Sequence, residues 1–134
     1  CGCGNHGCME QYASASGVTL SYFEATGQHR NTLEIANLAN QGDSNALAAY
    51  QLAGKSLAQA LAHILKVIDV ADVTIGGGMS AGWSLMQPTF SQQLEEDLIP
   101  ALRGKVSVDI SNMGDQAGIV GAAMLAQKSI QYIK

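Results

Sequence analysis

All three cysteines of the chain fall within eight positions, in the run Cys1-Gly2-Cys3-Gly4-Asn5-His6-Gly7-Cys8-Met9-Glu10. Thiolates suit a tetrahedral zinc, and the Cys-x-Cys-x4-Cys spacing delivers three of them to one ion only if the backbone turns sharply. Gly2, Gly4 and Gly7 permit that turning. A closed structural zinc takes four ligands, so one place stays open. His6 inside the loop is one candidate, although it would have to share a very short loop, and His29 is a more distant one. Two readings compete: three buried free thiols, which do not ordinarily cluster this way, and a redox pair, for which Cys-x-x-Cys is missing. The expectation is a structural zinc on Cys1, Cys3 and Cys8.

Two further features carry chemistry. Gly76-Gly77-Gly78 follows a β-branched run and precedes a helical stretch. Bare glycine backbone lets a nucleotide lie close, and a following helix N-terminus favours phosphate or ribose. The pattern is neither Gly-x-Gly-x-x-Gly nor a P-loop, and a plain tight turn is its competing reading. Glu10 is a carboxylate at a helix start, where the bland reading is a favourable charge near the helix dipole. Asp69, Asp72, Asp109 and Asp115 read as caps or strand-edge charges, and Trp83 as packing.

The elements that position these residues follow from pattern and punctuation. Residues 1–7 are loop. A helical pattern starts at Cys8 and runs to about Ala25, with a kink near Ser14–Gly17. Asn31 or Thr32 caps a short helix whose buried side is Leu33, Ile35, Ala36, Leu38 and Ala39. Asp43 or Ser44 caps the longest helix, to about Ile68, and Leu57, Leu61, Ile64, Leu65 and Ile68 form one stripe at helical spacing. Val70–Ile75 reads as a buried strand feeding the glycine turn. A helical region from about Ser80 to Leu102 restarts near Pro88, which suits a first turn. Lys105–Ile110 is a second strand. Asp115 caps a last helix to about Gln131, whose Gly118, Gly121, Ala122 and Ala123 favour close packing.

Composition bounds the rest. With 134 residues the chain has the size of one domain. Only 13% of residues are charged, about half the usual share, which points to a surface partly covered by something else. A net charge of −4 with seven scattered basic residues argues against a nucleic-acid face. No apolar run approaches the roughly 20 residues of a membrane span. An odd number of crowded cysteines does not make a secreted disulfide framework, so cytoplasm is the expected location. The chain starts on Cys1 without an initiator Met, and two strands do not make a stable sheet alone. It is therefore expected to be the C-terminal portion of a longer polypeptide, with the sheet incomplete without upstream strands.

Taken together, these residues resemble the ROK family of bacterial sugar kinases and related transcriptional repressors. The family's signature ends in Cys-x-Cys-Gly-x-x-Gly-Cys-x-Glu, and residues 1–10 match it at every fixed position. Gln11-Tyr12-Ala13-Ser14 looks like its continuation, Val73–Ser80 like its nucleotide-binding strand and turn, and Ala117–Ala123 like its closing helix. The resemblance implies a helix-rich α/β chain, the C-terminal lobe of an actin-like, ribonuclease-H-like ATPase fold. The lobe divides into a zinc loop at 1–10, helices over about 8–68, a nucleotide-binding strand-turn-helix over about 70–102, and a strand and closing helix over 105–131.

The same resemblance implies that Cys1, Cys3 and Cys8 ligate zinc, that Glu10 hydrogen-bonds sugar hydroxyls, and that Gly76, Gly77 and Gly78 line the adenine nucleoside site. In the family the fourth zinc ligand is a His just before the cysteines, and the catalytic Asp lies in the N-terminal lobe, so no catalytic residue is assigned within this chain. His6 falls at a variable position of the signature. The function expected is that of an ATP-dependent kinase for a hexose or N-acetylhexosamine, inactive as this segment alone. The alternative is the effector domain of a ROK repressor, and a third reading is a zinc-stabilised oligomerisation piece. The expected partners are the sugar, ATP with magnesium, the upstream portion of the same protein and a second copy in a homodimer. Nucleic acid enters only under the repressor alternative.

Overall fold

The computed structural model describes residues 1–113 and 116–131, with side chains through residue 128. The helical pattern expected from Cys8 is broken into two pieces. A single 3₁₀ turn spans Met9–Gln11, and the helix proper, α1, spans Ala15–Thr26. The break falls at Ser14, whose extended backbone and side-chain acceptor for the Gly17 N–H make it the N-cap. Gly27, in the left-handed region, closes α1.

Helix α2, Thr32–Asn40, starts with a capping box. Asn31 Oδ1 accepts the Glu34 N–H and Glu34 Oε2 accepts the Asn31 N–H, each at 2.9 Å, so two orphan donors are satisfied reciprocally. Its buried side holds Ile35 and Ala39. Leu33, expected there too, is 70% exposed, because it sits on the helix face turned away from the core.

Helix α3, Ser44–Ile68, is capped by Asp43, whose Oδ1 accepts the Ala46 N–H at 2.8 Å. The stripe expected on its C-terminal half is only partly buried. Leu65 is fully covered, but Ile64 and Ile68 are 51% and 56% exposed. The buried face carries small residues instead: Ala46, Ala49, Ala53, Gly54, Ala58 and Ala62, with Tyr50 and Leu65 as its large members.

The reason lies in the next helix. Strand β1 spans Asp72–Ile75 and helix α4 spans Trp83–Asp97, after a 3₁₀ turn at Gly78–Gly82. α4 crosses α3 so closely that a Cβ on Gly54 would stand 2.4 Å from the Met86 carbonyl oxygen. Thr89 Oγ1 donates across the crossing to the Gln51 carbonyl at 3.1 Å. Backbones this close tolerate only small side chains between them. Pro88 lies inside α4 rather than in its first turn; it costs the helix one N–H donor. The helix ends at Asp97, short of the expected Leu102, and Arg103 donates to the Glu96 carbonyl of its last turn and to the Leu98 carbonyl just past it.

Strand β2, Ser107–Ile110, pairs parallel to β1 with Val73 opposite Val108 and Ile75 opposite Ile110. Both strands are shorter than expected. Among the described residues they are not buried on both sides: exposure alternates along each, because only the Val73/Ile75/Val108 side packs on Phe90, Leu94 and their neighbours. The opposite face presents Asp72, Thr74, Ser107 and Asp109, which are exposed. Trp83 packs edge-on against Phe90, with ring centroids 4.9 Å apart. Asp69 is the left-handed C-cap of α3.

Helix α5 spans Ala117–Gln131. Nothing lies within 4 Å of where a Cβ on Gly118 or Gly121 would be, so the close packing expected of them is not made by the described residues. The expected cap, Asp115, lies outside those residues. Two buried clusters result. Among the described residues, one joins α1, α2, the first half of α3 and Met86 of α4; the other joins the second half of α3, the rest of α4 and the strands. Full burial of a side chain such as Ile35, Phe90 or Leu98 contributes about 1.5–3 kcal/mol, so helix packing outweighs the four-residue ladder in holding the chain.

Candidate functional site

The cysteine loop turns as its glycines require. Gly4 and Gly7 have φ of +80° and +72°, a region that other L-residues enter at a cost. The three sulfurs converge, with Sγ–Sγ distances of 2.8 Å for Cys1–Cys3, 3.1 Å for Cys1–Cys8 and 3.5 Å for Cys3–Cys8. A tetrahedral zinc with bonds of about 2.3 Å holds its sulfurs about 3.8 Å apart, so the set fits zinc once the thiols spread by about 1 Å or less. The Asn5 backbone, and after it the Cys8 thiol, lower the Cys3 thiol from its ordinary pKa, toward the thiolate that binds metal. Among the described residues neither His6 nor His29 joins this group. His29 instead stacks on Phe23, with ring centroids 4.2 Å apart.

Glu10 lies in the 3₁₀ turn that follows Cys8 directly. Its side chain is exposed, and its backbone carbonyl accepts the Ser14 hydroxyl. The Gln11 N–H donates to the Cys8 carbonyl at 2.9 Å, so the end of the cysteine loop and the turn carrying Glu10 form one continuous piece.

The glycine turn has a conformation of its own. Gly77 adopts φ 90° and ψ 174°, a region essentially confined to glycine. The Ser80 N–H and Oγ both donate to the Gly77 carbonyl, at 3.0 and 2.7 Å, which pins the turn to the 3₁₀ segment after it. Gly76, Gly77, Gly78 and Met79 form one wall of a cleft of about 430 Å³. Its other wall comes from Ala13, Ser14 and Ala15 at the start of α1 and Thr32 at the start of α2.

Sequence reasoning misses this second wall: its residues are common types, and the sequence marks them only by the kink near Ser14 and the cap at Asn31 or Thr32. Tertiary packing brings two helix N-termini to the glycine turn, and helix N-termini favour anionic groups. Ser14 also donates to the Glu10 carbonyl, so the turn carrying Glu10 and the cleft meet at it.

The profile of the ROK family matches residues 1–129. N-acetyl-D-glucosamine kinase of Shigella boydii serotype 4 is 36% identical over 125 residues, which cover 93% of this chain and 41% of that protein. Its counterpart in Escherichia coli O1:K1 is 35% identical over the same coverage. Among solved structures, a ROK family glucokinase from Streptomyces griseus in complex with glucose and AMPPNP superposes with a TM-score of 0.81 at 27% identity, covering 96% of this chain and 47% of that one. A ROK family transcriptional regulator, a homologue of the E. coli MLC protein, superposes with a TM-score of 0.70 at 24% identity, over 82% and 30% of the two chains; this likeness is one of fold. The chain spans less than half the length of each of these proteins. Its helices and two-stranded parallel sheet correspond to a C-terminal-like part of the actin-like fold of these kinases. No helix among the described residues is long and apolar enough to cross a membrane.

Proposed function

The chain belongs to the ROK family, and on that premise we propose that it is the C-terminal segment of an ATP-dependent, cytoplasmic sugar kinase acting on a hexose or N-acetylhexosamine. The observation that carries this reading is the cleft of about 430 Å³ between the glycine turn and the start of α1, whose Ser14 also holds the turn bearing Glu10. A nucleotide site and a sugar ligand next to each other are what phosphoryl transfer between ATP and a hydroxyl needs.

Cys1, Cys3 and Cys8 hold zinc, with a fourth ligand from outside residues 1–10. Bound zinc supplies rigidity, and the chemistry takes place elsewhere. Glu10 accepts hydrogen bonds from sugar hydroxyls, and a carboxylate makes these charge-assisted and strong. Gly76, Gly77 and Gly78 offer bare backbone to the adenine nucleoside. Phosphoryl transfer also requires a group to take the hydroxyl proton and a magnesium clamp on the phosphates. Those roles belong to the rest of the full-length protein, and the segment alone is inactive. Among sugars, N-acetylglucosamine has the support of the relatives' names, and glucose that of the sugar in the glucokinase complex.

The test is ADP release by the full-length protein with ATP, magnesium and a panel of hexoses and N-acetylhexosamines. Turnover with one of them is the expected result. No turnover on any sugar, together with sugar-sensitive binding to operator DNA, would replace the kinase with the repressor reading.

A further inference from the structure

The Glu10 carboxylate makes no hydrogen bond or ion pair among the described residues, so what the fold holds in place is the backbone from which it projects. That backbone is held from two sides. Upstream lies Cys8, part of the cysteine cluster. Downstream, the half-buried Ser14 donates its hydroxyl to the Glu10 carbonyl and accepts the Gly17 N–H at 3.1 Å. Gly17 in turn is pressed so close that a Cβ there would stand 2.7 Å from the carbonyl oxygens of Gln11 and Tyr12. The first turn of α1 therefore lies directly on the turn carrying Glu10. The hydroxyl of Ser14 ties the two, and it also lies 3.1 Å from the Ser16 hydroxyl.

We infer that Ser14 is a positioning residue for sugar binding: its hydroxyl fixes the Glu10 turn to the N-terminus of α1 and so aims the carboxylate from the wall of the nucleotide cleft. This rests on the reading of Glu10 as a sugar ligand. Ser14 has two separable roles, as donor to Glu10 and as N-cap acceptor for Gly17. Glycine is a tolerable N-cap that costs only a few tenths of a kcal/mol relative to serine, whereas alanine costs about 1 kcal/mol. Neither variant can donate. Threonine keeps both roles.

The experiment compares Ser14→Gly, Ser14→Ala, Ser14→Thr and Glu10→Gln in the full-length protein, measuring KM for sugar, KM for ATP, zinc content and Tm. Loss of a hydrogen bond of ordinary strength should raise the sugar KM by about 3- to 10-fold in both Ser14→Gly and Ser14→Ala. The ATP KM should move less, zinc content should hold, and Ser14→Thr should restore the sugar KM. A wild-type sugar KM in Ser14→Gly would overturn the inference and leave Ser14 as a helix cap only. Parallel rises in the sugar and ATP KM would also overturn it. If Glu10→Gln leaves the sugar KM unchanged, the sugar-ligand reading itself fails; if it raises the sugar KM while Ser14→Gly does not, the positioning role alone fails.

Discussion

The hydroxyl of Tyr50 donates to the backbone carbonyl of Thr32 at 2.9 Å, tying the second turn of α3 to the start of α2. The same ring fills the space beside Gly82, where a Cβ would stand 2.6 Å from Tyr50 Cε1. Thr32 lines the cleft, and Gly82 ends the 3₁₀ segment that follows the glycine turn. One buried tyrosine thus braces both walls.

Tyr50→Phe should destabilise the protein by about 1 kcal/mol, the usual net worth of such a bond plus part of the cost of an unpartnered carbonyl. Burial also raises the Tyr50 pKa above its ordinary value. Unfolded tyrosine loses its proton near pH 10 while the buried one keeps it. This contribution to stability is therefore intact below about pH 10 and lost as pH climbs toward the folded value. Denaturant melts at neutral and alkaline pH should show a shallower alkaline loss in Tyr50→Phe.

Within the glycine turn the three positions should not respond alike. Gly77→Ala places a Cβ in a conformation that costs of order 1–3 kcal/mol for other residues. A Cβ on Gly76 meets only Ser111 Cβ, at an ordinary 3.6 Å. Isothermal titration with an ATP analogue should find affinity reduced by about 5- to 150-fold by Gly77→Ala, if the turn must keep this conformation to bind, and far less by Gly76→Ala. Equal effects would mean that bulk, and not the turn, governs binding.

Gly54→Ala tests the helix crossing. The added methyl would fall 2.4 Å from the Met86 carbonyl oxygen, so α3 and α4 must separate. Overpacking of this kind costs about 1–3 kcal/mol or more. Thermal melting should show a clear loss of Tm, with Gly118→Ala, which meets open space among the described residues, as the mild control.

Metal analysis of the full-length protein should find about one zinc per chain. Cys8→Ser should abolish it, because Cys8 joins the converging sulfurs to the turn of Glu10. Chelation of the wild-type protein should raise the sugar KM more than the ATP KM, since the loop ends at Glu10. Absence of zinc with normal sugar affinity would remove the metal from the scheme.

The features legible in the sequence are those that local interactions specify. The cysteine loop is set by thiol spacing and intervening glycines. The caps at Asn31 and Asp43 are set by side chains that bond three residues onward. The order strand, glycine turn, helix follows from a β-branched run ending at three glycines. Each needs only neighbours along the chain, so each can be read without the fold.

Other features depended on what packs against what. On α3 a leucine–isoleucine stripe and a face of small residues both keep helical spacing. Nothing in the helix alone chooses between them. The approach of α4 at Gly54 selects the small face and leaves Ile64 and Ile68 largely exposed among the described residues. The cleft is of the same kind, for Ala13–Ala15 and Thr32 reach Gly76–Gly78 only through the packing of α1 and α2 on α3. The cysteine loop and the glycine turn are written in the chain itself, because local backbone chemistry suffices for both. That the turn carrying Glu10 and the glycine turn come together at Ser14 follows from the packing of α1 and α2 on α3, a long-range burial that no local pattern encodes.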